Sequence, residues 1–147
     1  MIIDEQVKKL IQMSLREDIG DGDHSSLSCI SPDEMGEMKL LVKEDGILCG
    51  VDVAREVIRQ VDEKIEMEQY MQDGDNIKKG DIVFKLKGPA ASMLTAERNV
   101  LNFMQRMSGI ATSAHEYVEM VKDTHVTLLD TRKTTPNMRI FEKYAVK

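Results

Sequence analysis

The stretch Leu129-Asp130-Thr131-Arg132-Lys133-Thr134-Thr135-Pro136 holds the residues best suited to chemistry: two adjacent cations among three hydroxyls. The apolar run Val126-Thr127-Leu128-Leu129 before it reads as a buried strand. Thr135-Pro136 after it reads as a helix cap followed by a residue favoured at the first helical position. A strand that ends on Arg132 and Lys133 just ahead of a helix offers a planar guanidinium fork, a compact ammonium charge and oriented N–H donors at one edge. In strand–helix barrels that edge is where sites form. The chemistry such a cluster supports is capture of a small polyanion. Spacing leaves a second reading open, in which Asp130 pairs with Arg132 or Lys133 as a structural ion pair.

A second cluster is Thr95-Ala96-Glu97-Arg98-Asn99 with Leu101-Asn102. Met93, Leu94, Val100, Leu101, Phe103, Met104 and Met107 line one side of a long helix, and Thr95, Arg98, Asn102 and Arg106 line the other. Arg98 therefore faces away from its own core. It is either solvated or meets a ligand or a second subunit. Glu97 falls close to the apolar side, where it is either buried with a partner or marks a wetter stretch of helix.

The elements that must position these residues follow from periodicity and turn chemistry. Asp4 caps a first helix bearing Val7, Leu10, Ile11 and Leu15, and Gly20 ends it. The acids of Gly20-Asp21-Gly22-Asp23-His24-Ser25-Ser26 serve as caps and turn formers, since the run lacks the glycine and distal glutamate of a calcium loop. Strands are expected at 38–43 and 47–49. Asp52 opens a helix with Val53, Val57, Ile58 and Val61. A half-buried strand from Lys64 to Met71 has Ile65, Met67, Gln69 and Met71 on one face. Turns at Asp73-Gly74-Asp75 and Lys79-Gly80-Asp81 lead into Ile82-Val83-Phe84 and on to Pro89. This rhythm is that of a small α+β sandwich. Ser108-Gly109 is expected to interrupt the long helix, after which Ile110, Ala114, Tyr117, Val118 and Val121 form a second one. A last helix carries Met138, Phe141, Tyr144 and Ala145. One strand and one helix only open a strand–helix unit, so the chain reads as interrupted at Lys147, with Val126 to Leu129 left wanting neighbouring strands.

Composition narrows the classes. The 147 residues are 41% hydrophobic, enough for one core, and the eleven methionines read as core filler. No apolar run reaches membrane length, the N-terminus is not a signal peptide, and Cys29 and Cys49 show no disulfide or zinc spacing, which points to the cytoplasm. Residues 1–97 hold 12 Lys and Arg against 21 Asp and Glu, whereas residues 98–147 hold 8 against 5. The acidic excess argues against nonspecific nucleic-acid binding.

The words Ala96-Glu97-Arg98, Leu101-Asn102-Phe103, Ser108-Gly109-Ile110-Ala111-Thr112, Leu129-Asp130-Thr131-Arg132-Lys133-Thr134 and Glu142-Lys143-Tyr144-Ala145-Val146, in this order, resemble the quinolinate phosphoribosyltransferase family. Arg16-Glu17-Asp18, Gly22-Asp23 and the stretch from Asp73 to Gly88 are similar too. The resemblance implies an N-terminal α/β sandwich at residues 1–107 and, at 108–147, the truncated start of an α/β barrel. It implies transfer of quinolinate to phosphoribosyl pyrophosphate in NAD biosynthesis, with Mg2+ accompanying the phosphoribosyl donor. It also implies a homodimer whose active site is shared. Arg98 would reach a partner's substrate, and Thr131, Arg132 and Lys133 would bind substrate, Arg132 on a quinolinate carboxylate. A glycine-rich stretch, an Asn-His-Arg word, a lysine and two acids of the family have no counterpart here, so residues 1–147 alone are expected to be inactive. Asp23-His24-Ser25-Ser26 replaces an expected aliphatic residue and threonine. The histidines, His24, His115 and His125, match no catalytic position.

Two other readings compete. A related family linked to molybdenum transport shares the fold with a different ligand. A lipoyl-like carrier module would explain the Gly-Asp hairpins at 73–88, but not residues 95–147, and no lysine stands at a matching hairpin tip.

Overall fold

In a computed structural model of the chain, residues 1–31 and 33–147 are described, the side chains of Ser25 and Leu27 excepted. Ser25, one of the departures at residues 23–26, thus has a side chain outside the described residues. Helix α1, Glu5–Ile19, starts where the Asp4 carboxylate accepts from the Val7 N–H at 2.9 Å and stops at Gly20. Val7, Ile11 and Leu15 are its buried face. Asp23 then caps a short helix, α2 (His24–Cys29), its carboxylate accepting from the Ser26 N–H at 3.4 Å and from the Ser26 hydroxyl at 2.8 Å, so the turn-rich run contains a helix that composition did not announce.

Strands β1 (Met35–Leu41) and β2 (Gly46–Ile47) precede helix α3 (Val51–Val61), and β3 (Glu66–Gln69), β4 (Asn76–Ile77) and β5 (Ile82–Pro89) follow it. They form a three-stranded antiparallel sheet in the order β1-β5-β3 and a small β2-β4 ribbon. Phe84 and Leu86 of β5 face inward while Lys85 and Lys87 point out, the alternation of a half-buried strand. Asp52 does not open α3. Gly50 is the cap, at φ 104°, and the Asp73 carboxylate accepts from the N–H groups of Gly50 and Val51, both at 2.8 Å. A side chain at Gly50 would press on Met107 and Met104, so glycine permits both the backbone turn and the close seat on the next helix. Gln69, expected on one face with Ile65, Met67 and Met71, is exposed.

Helix α4, Ala90–Val121, runs 32 residues without a break at Ser108-Gly109. Gly109 meets no neighbour within 4 Å and costs such a helix only about 1 kcal/mol relative to alanine. Ser108 ties the helix to the sheet side: its hydroxyl accepts from the Cys49 N–H at 2.9 Å and donates to the Cys49 carbonyl at 3.1 Å. The core lies between α4, α1, α3 and the sheet, and Phe103 of α4 tilts against Phe141 with ring centroids 4.9 Å apart. Phe141 belongs to the last helix, α5 (Arg139–Val146).

Residues 126–130 do not form the expected strand. The segment is irregular, and Val126, Leu128 and Leu129 are exposed, Leu129 at 89%. A strand needs a neighbour for its backbone groups, and no strand among the described residues pairs with these. Thr135-Pro136 likewise does not begin the helix. A turn intervenes, with Asn137 at φ 65°, and α5 starts only at Arg139. The α/β class and the order of most elements are as the sequence implies.

Candidate functional site

Arg98 projects from α4 with about half its side chain in solvent, as its helical position predicts. Sequence reasoning missed its company. Both oxygens of Asp18, at the end of α1, accept from Arg98 Nε at 3.0 Å, and Asp23 lies 3.7 Å from Nη1. Asp23 also takes the Ser26 hydroxyl, which with Arg98 and Thr95 holds its carboxyl below the ordinary carboxylate value. The signal was present in the acidic run at residues 17–23, but nothing local says which distant cation an acid will meet. Glu97, the ambiguous member, is exposed.

Asn99 was also missed. It is 3% exposed, its Oδ1 accepts from the Ser14 hydroxyl, and its Nδ2 is the one buried side-chain donor without a partner among the described residues. Its spacing from Thr95 and Asn102 marks a polar stripe on α4 that could have exposed it.

The run from Asp130 to Thr135 lies on the irregular segment before α5. Asp130 does not pair with Arg132 or Lys133. Its carboxylate accepts from the Thr131 N–H at 2.6 Å and pairs with Lys143 at 2.5 Å, which holds its carboxyl below the ordinary value. Thr131, Arg132 and Lys133 are exposed, and neither cation has an ion-pair partner among the described residues. The expected barrel mouth is therefore not formed around them. At the far end of the run Thr135 is anchored: its N–H donates to Glu142 Oε2 at 3.2 Å, and Arg106 of α4 donates to both Glu142 and the Thr135 hydroxyl. Burial pushes the Glu142 carboxyl up, but hydrogen bonds from Arg106 and Thr135 outweigh it and leave the value lowered. The described residues contain no cluster of three or more His, Cys, Asp or Glu side chains placed to hold a metal. Cys49 is buried as a free thiol, and burial pushes its pKa up to about 12, with Asp73 adding to the effect.

This chain carries an α/β fold whose long helix leads into an arginine- and lysine-bearing loop. Family models for the quinolinate phosphoribosyl transferase N-terminal domain and C-terminal domain match residues 23–108 and 110–147, and the chain belongs to that family. It is 42% identical over 142 residues to the probable nicotinate-nucleotide pyrophosphorylase [carboxylating] of Bacillus subtilis, covering 97% of this chain and 49% of that protein. It is 43% identical to quinolinate phosphoribosyltransferase [decarboxylating] 1b of Nicotiana tabacum, covering 95% of this chain and 40% of that one. The solved structure of the nicotinate-nucleotide pyrophosphorylase from Francisella tularensis superposes with a TM-score of 0.92 at 38% identity, covering 99% of this chain and 52% of that one. The chain thus spans about half the length of the relatives it matches.

Proposed function

We propose that these residues supply the sandwich domain and first substrate-gripping loop of a quinolinate phosphoribosyltransferase. The observation that carries this is the state of the loop: Asp130 is taken by Lys143, so Arg132 and Lys133 keep their charge for an external anion. Arg132 offers its fork to a carboxylate of quinolinate, and Lys133 offers a point charge to the carboxylate or the phosphoribosyl pyrophosphate. Thr131 adds a hydroxyl beside them. Arg98 faces outward on α4 but is paired with Asp18, so it would exchange that partner to meet a substrate held by a second copy in a homodimer. The quinolinate nitrogen forms a bond to the anomeric carbon as the bond to pyrophosphate breaks with its electron pair. Loss of carbon dioxide, with uptake of a proton at the vacated carbon, leaves nicotinate mononucleotide. Two anionic substrates repel one another, and fixed cations offset that repulsion while aligning them. Mg2+ would accompany the phosphoribosyl pyrophosphate, where it stabilises the charge of the departing pyrophosphate. The reading places the enzyme in the cytoplasm, where two free cysteines are at home; no helix among the described residues is long and apolar enough to cross a membrane.

The test joins residues 1–147 in frame to the remaining half of the Bacillus subtilis relative and follows pyrophosphate release. Release that requires both quinolinate and phosphoribosyl pyrophosphate is expected. Arg132→Ala should lower kcat/KM on the order of 10²-fold, the loss expected for a charge-assisted fork. A folded fusion without release, or an Arg132→Ala variant with unchanged kcat/KM, overturns the proposal.

A further inference from the structure

Helix α5 meets the Asp130–Thr135 run with three side chains spaced i, i+3 and i+4, which fall on one face of a helix. Lys143 pairs with Asp130 at the start of the run. Arg139 spans its middle: Nε donates to the Thr134 hydroxyl at 3.1 Å, and Nη2 donates to the Arg132 carbonyl at 3.2 Å. Glu142 receives the Thr135 N–H at its end and is itself fixed by Arg106. The neighbouring face of α5 buries Phe141 and Ala145, so the helix carrying these three groups is anchored in the core. Within the run, the Lys133 N–H donates to the Thr131 hydroxyl at 3.1 Å. The charged side chains that remain uncommitted are Arg132 and Lys133.

We infer that this face of α5 is a positioning device: Arg139, Glu142 and Lys143 hold the run in the conformation that leaves Arg132 and Lys133 free and outward. An irregular segment with no strand partner would otherwise sample many conformations, and an anion would meet the cations only after that freedom was lost. Three side-chain anchors remove the freedom beforehand. These are positioning residues, since none needs to touch the anion. The role of the cations rests on the function proposed above; the anchoring does not.

Two measurements test it. Amide exchange on the 147-residue chain reads the anchoring without any turnover. Arg139→Ala and Lys143→Ala should each speed exchange at Thr131, Lys133 and Thr135 about fivefold, the equivalent of one net hydrogen bond, with α4 and α5 unchanged. Arg139→Lys should restore only part of the protection, because an ammonium cannot reproduce the fork to two acceptors. In the fused enzyme, Arg139→Ala should raise KM for quinolinate about tenfold and lower kcat less, as for a lost pre-organised binding loop. Exchange or KM indistinguishable from the parent overturns the inference. A parent fusion with no turnover defeats the functional reading instead, and the exchange measurement still decides the anchoring.

Discussion

Helix α4 contains two regions of similar apolar content and opposite fate. From Met93 to Ala111 most of its apolar side chains are buried, Phe103 against Phe141, and Leu94, Leu101 and Ile110 are half-buried. Beyond Ala111 no residue of α4 is buried, and Tyr117, Val118 and Met120 stand 61%, 50% and 74% exposed, as do most of Val126 to Leu129 a few residues on. The change falls just past the point where one family match gives way to the other, at residues 108 to 110. Apolar periodicity records that a face seeks cover; it does not say whether the cover lies within the same 147 residues. In the first region it does, and there interactions stabilise the fold. In the second, Tyr117, Val118 and Met120 are half or more exposed, and they contribute little to stability.

The sharpest way to break this comparison is one truncation in each region. Phe103→Ala removes a ring 5% exposed and in contact with Phe141, and should cost about 3–5 kcal/mol, a large share of the stability of a domain this size. Met120→Ala, on the same helix but exposed, should change stability by no more than about 0.5 kcal/mol. Urea unfolding of both variants measures the difference. Comparable losses would mean that the far half of α4 is packed after all.

A smaller effect sharpens the seam between α4 and α5. Glu142 is buried and joins Arg106 to Thr135, and its folded carboxyl value is held below the ordinary 4.5. A lowered folded value gives stability that is fully present above pH 4.5 and lost as pH falls through the folded value, because the unfolded chain takes up the proton first. Glu142→Gln should therefore cost about 1.5–3 kcal/mol at neutral pH and flatten the acid limb of the thermal midpoint below that point. A variant that keeps the parent's acid limb would assign the loss to other carboxylates, Asp23 among them.

What the sequence revealed and what it hid divide along the same line. Local chemistry was legible: the Asp4 cap, the Gly20 stop, the β5 alternation and the outward Arg98 each depend on residues within a turn or two. The strand expected to end on Thr131, Arg132 and Lys133 did not form, and the three residues lie on an irregular segment ahead of α5. Partners distant in sequence were not legible. Asp73 rather than Asp52 satisfies the start of α3, Asp18 claims Arg98, and Lys143 rather than Arg132 claims Asp130. Nothing in spacing distinguishes one acid from another for a cation 80 residues away. Two of the structural corrections have a common cause as well. Ser108-Gly109 failed to break α4 because tertiary packing outweighs one glycine, and Val126–Leu129 failed to form a strand because strand propensity cannot act without a neighbour.

The smallest expected effect tests the exposed region directly. Leu128 and Leu129 are 46% and 89% exposed, contiguous with Val126 and close in sequence to the uncovered end of α4. Replacing both leucines by serine removes apolar surface that water already touches, so the folded state loses almost no burial, and the unfolding free energy should move by less than about 0.5 kcal/mol. Association through that surface should respond instead. The double variant should bind less of a hydrophobic dye and elute as a smaller species than the parent at the same concentration, because an exposed apolar run beside unpaired backbone groups is a template for self-contact. A loss of stability above 1 kcal/mol, on the order of a buried methyl or two, would show that these side chains already pack against the chain. An unchanged elution and dye response would show that exposure here carries no tendency to associate.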